Sequence, residues 1–327
     1  SAAGLGAGDY VIAWSDELDS TIHGRLVTAL GEPRLNPVSN STDDFTISTI
    51  TGGSAYLPEV ASTGTPHGFV AVWRTDTGLR ARFFASDGSA QTPGETGLAT
   101  YSASVSLGGP HVAWRGDAAA VAWWVNDPAD ADLDTGAVLL RLFAPPGGAA
   151  AGPVRVLARP IDDPGVSPDV AVLPDGTIGV AWHDCGDGSD GAGCAIRFQA
   201  LRPSGLPIGD PIVANTTTAG DQTDPALTAV GDDVFALTWT DESAAAPDTS
   251  DAAIRARLIY PLRDPDDGRI GARCGGAGDA ACGSGLTCMA GTAGSPLCHE
   301  SCDPAAADPC PLGGTCTTEG PDSACLF

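Results

Sequence analysis

The chain alternates short apolar runs with breaks rich in glycine, proline and aspartate. Five of the runs end in tryptophan: "YVIAW" to Trp14, "FVAVW" to Trp73, "AVAWW" to Trp124, "IGVAW" to Trp182 and "FALTW" to Trp239. Their separations are 59, 51, 58 and 57 residues, a period that marks a repeat. Upstream of four of them stands a Pro-x-(Val/Leu)-(Ala/Thr) piece, beginning at Pro58, Pro110, Pro168 and Pro225. Downstream of every tryptophan a variable acidic loop leads into a third strand: "IHGRLV", "LRARFF", "VLLRLF", "IRFQAL" and "IRARLI". Its fourth residue is Arg25, Arg82, Arg141, Gln199 or Arg257, so one alternation frame fits all five. A weaker fourth strand follows, as in "GDPIVANT".

Four short strands per unit predict a propeller blade. One small sheet cannot bury its apolar face alone, so each must pack on the next. The predicted fold is all-β: a five-bladed β-propeller followed by a small disulfide-rich module. The propeller spans residues 1–263, with blades at roughly 1–55, 56–107, 108–165, 166–222 and 223–263, and the module spans 264–327.

Composition narrows the partners. There are 41 acidic and 16 basic residues, a formal charge of -25, and no lysine. Such a surface repels nucleic acid and anionic membranes. No apolar run approaches the ~20 residues of a membrane span, which argues against direct membrane insertion; the longest is Ala118 to Val125. The start, "SAAGLGAGDY", lacks the basic and apolar parts of a signal peptide. Counting one repeat length back from Trp14 lands just before Ser1, so Ser1 is expected to be a processed end. Ten cysteines, eight of them in the last 54 residues, point to an oxidising compartment and a secreted, cell-surface location.

The segment "PDVAVLPDGTIGVAWHDCGDGSDGAGCAIRFQALRPSGLPIGDPIVANTTTAGDQTDP" (Pro168 to Pro225) carries the fullest repeat. It resembles a repeat family common in secreted bacterial surface proteins, built of Pro-x-Val-Ala, Val-x-Trp, Ala-Gln-Arg-Phe and Gly-Asp-Gln pieces. The resemblance implies a propeller and export, and no single activity.

The stretch "AVAWWVNDPADADLDTG" (Ala120 to Gly136) raises a sharper question. Its Trp-Val-Asn-Asp-Pro core resembles the nucleophile motif of invertase and levansucrase glycosidases. However, an aspartate follows every repeat tryptophan: Asp16, Asp76, Asp127, Asp184 and Asp241. A nucleophile would be unique. The recurrent aspartate is expected to cap the turn or to pair with a third-strand arginine. "RGD" at Arg115 to Asp117 reads as the turn between first and second strands.

The acidic loops suit a hard cation. Asp127, Asp130, Asp132 and Asp134 precede Gly136, and Asp184, Asp187 and Asp190 lie in a loop that a Cys185–Cys194 disulfide would pinch. Calcium is the cofactor such loops would take; solvated loops that bind nothing are the other reading. Variable loops on a rigid scaffold are where binding resides. An enzyme would instead need carboxylates at the central channel. The innermost strands begin at Glu59, His111, Asp169 and Ala226. Glu59 and Asp169 form the acidic pair, if that position faces the channel and not a neighbouring blade.

In the tail, Cys274, Cys282, Cys288 and Cys298 run C-x7-C-x5-C-x9-C, and Cys302, Cys310, Cys316 and Cys325 run C-x7-C-x5-C-x8-C. This tandem is expected to be held by disulfides, with three pairings open for each unit. It resembles Cys-rich modules on exported proteins of myxobacteria. Together these readings predict an exported, non-enzymatic surface protein. Its loop face would serve adhesion or recognition of a glycan or surface protein, or its own self-association. A structural subunit of an extracellular assembly is the first alternative. A glycoside hydrolase using Glu59 and Asp169 is the second.

Overall fold

The computed structural model describes residues 1–6, 8–36, 40–49, 53–64, 68–102, 104–115, 118–130, 133–134, 136–143, 152–158, 166–186, 193–246 and 249–261, with four strands between 286 and 326. The chain divides into two compact units, Ser1–Ile259 and Tyr260–Phe327. Among the described residues there is no helix, and so none long and apolar enough to cross a membrane.

The first unit is a β-propeller. Its sheets are antiparallel meanders that follow one another along the chain. Blade 1 holds β1 (Ala2–Gly4), β2 (Tyr10–Asp16), β3 (Thr21–Val27) and β4 (Phe45–Thr46). Blade 2 holds β5 (Ala55–Ser62), β6 (Gly68–Thr75), β7 (Gly78–Ala85) and β8 (Thr96–Thr100). In blade 3, the short β9 (Ser106–Leu107) accompanies β10 (His111–Arg115), β11 (Ala118–Asn126), β12 (Ala137–Phe143) and β13 (Arg155–Ala158). Blade 4 has β14 (Asp169–Val172), β15 (Ile178–Asp184), β16 (Ala195–Leu201) and β17 (Pro207–Val213). The described part of blade 5 is β18 (Gln222–Val230), β19 (Val234–Asp241) and β20 (Ala253–Ile259). The first long strand of each sheet lies beside that of the next: β1 by β5, β5 by β10, β10 by β14, β14 by β18.

Apolar layers between successive sheets form the core. Ile22 and Ala13 of blade 1 meet Phe69 and Trp73 of blade 2. Val70 and Leu79 of blade 2 meet Val121 and Trp123 of blade 3. Trp124 and Leu140 of blade 3 meet Val180 and Trp182 of blade 4. Ala181 and Phe198 of blade 4 meet Leu237 and Trp239 of blade 5.

This packing corrects one alignment. Trp73, Trp182 and Trp239 all face the preceding blade, and in blade 3 that place belongs to Trp123. Trp124 faces forward. Strand register agrees: Trp14, Trp73, Trp123, Trp182 and Trp239 stand opposite His23, Arg80, Leu139, Arg197 and Arg255, one frame throughout. Successive residues on a strand point to opposite faces, so a slip of one reverses the role. Val125, not Asp127, therefore takes the position of Asp16, Asp184 and Asp241 in blade 3.

The third-strand frame of Arg25, Arg82, Arg141, Gln199 and Arg257 holds without a shift. Arg82 Nη1 donates to the Ile47 carbonyl at 2.9 Å, and Arg257 Nη1 to the Ala214 carbonyl at 2.8 Å. Arg141 Nη1 donates to the Leu98 carbonyl. Each acceptor lies in or just beyond the outer strand of the preceding blade. Gln199 stays in its own blade, donating to the Ala200 carbonyl at 2.7 Å. Arg25 pairs with Asp44 of its own blade.

The junction of blade 5 with blade 1 differs from the other four. Tyr10 and Ile12 are 46% and 41% exposed, whereas their blade 2 counterparts Phe69 and Ala71 are fully buried. On blade 5, Ile254 and Leu258 are 74% and 54% exposed, whereas Ile196 and Ala200 at the matching blade 4 positions are buried.

In the second unit, β21 (Leu286–Met289) pairs with β22 (Leu297–Glu300), and β23 (Thr315–Glu319) with β24 (Asp322–Leu326). Cys288 stands opposite Cys298 and Cys316 opposite Cys325, so the two four-cysteine units share one hairpin layout. Cys274, Cys282, Cys302 and Cys310 lie outside the described residues.

The arginine clamps are open to a direct test. Arg82→Ala strands a carbonyl on fully buried Ile47 and is expected to cost about 1–3 kcal/mol. Arg25→Ala removes a half-exposed ion pair and is expected to cost about 0–1 kcal/mol. Urea denaturation of both variants checks this; equal losses would show that the carbonyl clamp adds nothing beyond a surface pair.

Candidate functional site

The heads of three consecutive innermost strands carry one acid–base cluster. Glu59, His111 and Asp169 stand opposite Val72, Ala122 and Ala181 on the second strands of blades 2, 3 and 4. They are half-buried. His111 Nδ1 lies 3.2 Å from Asp169 Oδ1, and His111 Nε2 lies 3.0 Å from Ser167 Oγ. Asp169 also accepts the Val170 N–H on Oδ1 at 2.8 Å and the Leu227 N–H on Oδ2 at 2.7 Å. It is therefore fixed from blades 3, 4 and 5 together. Glu59 accepts a hydrogen bond from Ser1 Oγ at 2.8 Å.

Burial alone would lower the His111 pKa from its ordinary 6.5. The hydrogen bond to Asp169, the Asp169 charge and the Glu59 charge outweigh burial, and the net shift is upward. The Glu59 charge thus reaches the imidazole, and the pair singled out in the sequence acts on one histidine between them. Sequence reasoning noted His111 at the shared position and gave it no role. Ser167, one residue before the repeat proline, carried no signal.

The remaining acidic residues are mostly turn elements. Asp16, Asp127 and Asp184 accept the backbone N–H of Leu18, Ala129 and Gly186, each two residues on. Asp184 and Asp241 also pair with third-strand arginines, Arg197 and Arg255. Asp76 instead accepts from the Ser54 N–H and the Tyr56 hydroxyl. Asp134 lends its carbonyl to the Asn126 amide, and the N–H of Asp130 bonds to the Asp127 carbonyl. Asp132, Asp187 and Asp190 lie outside the described residues. The Cys185–Cys194 disulfide is formed as expected.

Among the described residues, ligand-type atoms converge at Asp16, Asp19 and His23, all within 4.8 Å of one another. The spacing had not drawn notice, because Asp19 belongs to no repeat position. Asp19 is already engaged, accepting from Thr21 and lying 2.9 Å from His23 Nε2.

No protein-family profile matches the chain, and no curated protein matches it in sequence. Solved structures do match in fold. An α-L-arabinanase from Penicillium chrysogenum is 11% identical, covering 75% of this chain and 78% of its own, with a TM-score of 0.45. An α-L-arabinofuranosidase from Fusarium graminearum is 11% identical over 77% and 79%, with a TM-score of 0.47. An endo-arabinase from Bacteroides thetaiotaomicron is 12% identical over 78% and 90%, with a TM-score of 0.37. These are likenesses of fold at very low identity. They nonetheless correct the expectation of a non-enzymatic surface protein for adhesion, or of a structural subunit. The neighbours just named are glycoside hydrolases, and the second alternative drawn from the sequence is the one retained.

Asp241 offers a test of site rigidity. It is 1% exposed and accepts from Arg255 Nε at 2.6 Å, from the Ser243 N–H and from Gln222. Burial would push its carboxyl up, but Arg255, Ser243 and Gln222 outweigh that and hold it below the ordinary 3.8. A folded pKa below the unfolded one contributes stability that is full above the unfolded value. That contribution is lost as pH falls through the folded value. Asp241→Asn is expected to cost on the order of 3 kcal/mol at neutral pH, because it leaves Arg255 without its counter-charge. The variant should also lose less stability than the parent between neutral pH and pH ~3. Denaturation midpoints across that range check both points.

Proposed function

We propose that the propeller is a glycoside hydrolase acting at the heads of its innermost strands, with Glu59 and Asp169 as the two carboxylates. The observation that carries the reading is their shared register on blades 2 and 4, with His111 of blade 3 between them. Glycosidic hydrolysis needs one carboxyl group to protonate the leaving oxygen and a second carboxylate to act on the other side of the sugar. The surroundings of the two differ. Asp169 is surrounded by donors that favour its ionised form, which suits the base. Glu59 has a single hydroxyl partner, which leaves it able to deliver a proton. His111 adds positive charge between the two and restrains Asp169. A net charge of -25 disfavours acidic polysaccharides, so the substrate class is a neutral glycan.

The finer family resemblance, to exported bacterial repeats with a Cys-rich tail, belongs to this proposal as well. Export is supported by the Cys185–Cys194 disulfide and by the eight cysteines of the tail.

The test is a panel of neutral oligosaccharides, arabinan fragments included. Glu59→Gln and Asp169→Asn are each expected to lower kcat/KM by at least about 100-fold with the fold retained by circular dichroism. No turnover of any panel member by the parent, or full turnover by both variants, rejects the reading.

A further inference from the structure

The geometry points to Ser167 as the nucleophile of an acyl-ester hydrolase site, with His111 as its general base and Asp169 as the group that orients the histidine. Nucleophilic catalysis by serine requires a base within hydrogen-bond reach and a third group that fixes the base. Here Ser167 Oγ is 3.0 Å from His111 Nε2, and Asp169 Oδ1 is 3.2 Å from His111 Nδ1. A carboxylate on Nδ1 keeps the proton there and leaves the Nε2 lone pair facing the hydroxyl. The inference goes beyond the glycoside hydrolase reading, since it needs neither Glu59 nor a sugar ring.

The serine is held in place by the chain around it. It precedes Pro168, which restricts it to extended backbone. Val166 and Pro168 on either side are buried, so the half-buried Ser167 is pinned between two anchors. The segment lies close against blade 3 because Gly108 has no side chain; a Cβ there would sit 2.9 Å from the Val166 carbonyl oxygen. Asp169 is locked in turn by the N–H groups of Val170 and Leu227. Residues of blades 3, 4 and 5 thus fix all three groups.

The chemistry balances without a cofactor. Ser167 Oγ attacks the acyl carbon of an ester while its proton passes to His111 Nε2. The acyl–oxygen bond to the alcohol breaks, and that alcohol leaves with the proton from Nε2. Water then attacks the acyl-serine, gives a proton to Nε2, and releases the carboxylic acid. Ser167 recovers its proton from His111. The substrate class is a carboxylic ester, for example an acyl group borne on a glycan hydroxyl.

The test uses the full chain and a fluorophosphonate probe, which labels an activated serine whether or not any glycan is cleaved. Peptide mapping is expected to place the label on Ser167. Ser167→Ala should abolish labelling, and His111→Gln should slow it at least about 1,000-fold. For the unmodified protein, the labelling rate should rise with pH through a single ionisation above 6.5, the ordinary histidine value. That arm stands even if a variant misfolds. Label on another serine, no label, undiminished labelling of a folded His111→Gln variant, or a flat pH profile overturns the inference. If labelling succeeds and no oligosaccharide is cleaved, the glycoside hydrolase reading fails alone.

Discussion

The structure depends on apolar packing between successive blades. A sheet of three or four short strands has two faces and too little interior to hold either dry. Each blade becomes stable by lending one face forward and one back. Trp73, Trp123, Trp182 and Trp239 supply the large backward-facing surface at four junctions. The arginines of the third strands then fasten the outer margin at three of them, where an aliphatic stem crosses the apolar layer and the head group reaches a carbonyl. The junction of blades 5 and 1 has neither a buried tryptophan nor a clamp, since Arg25 turns to Asp44 within its own blade.

The same packing creates the chemistry. Equivalent positions on the innermost strands are brought side by side whatever residue they carry. Glu59, His111 and Asp169 share one such position and so become neighbours, although 52 and 58 residues separate them along the chain. The scaffold supplies the precision, because strands fixed on both sides cannot shift singly. Function can then change by exchanging residues at one register while the packing faces stay as they are.

Much of the fold was legible in the sequence because propeller packing writes itself as a period. Strand number, strand order and the third-strand frame were all readable from alternation and recurring residue types. The slip at Trp124 shows the limit. Two adjacent tryptophans both satisfy an apolar frame, and only the facing sheet decides which points backward. The arginine frame held the answer, since counting from Arg141 selects Trp123. In the site, the shared position was visible but its orientation was not, because a strand head can face the axis or a neighbour. Ser167 lay beyond reach for another reason: a serine before a proline is ordinary, and its partner sits in a different blade. Asp16, Asp19 and His23 likewise meet through a turn whose shape no spacing rule encodes.

The choice of acceptor by the clamping arginines has a consequence for ionic strength. Arg82, Arg141 and Arg257 donate to neutral carbonyls, so part of what fastens the blades is not a bond between opposite charges. The 41 acidic residues, by contrast, repel one another across the surface. Dissolved ions screen such exposed charges beyond about 8 Å at physiological strength and sooner in brine. Salt therefore relieves the repulsion while leaving the buried clamps almost untouched. The balance tilts toward the folded ring as the medium grows saltier, the opposite of what surface ion pairs alone would give.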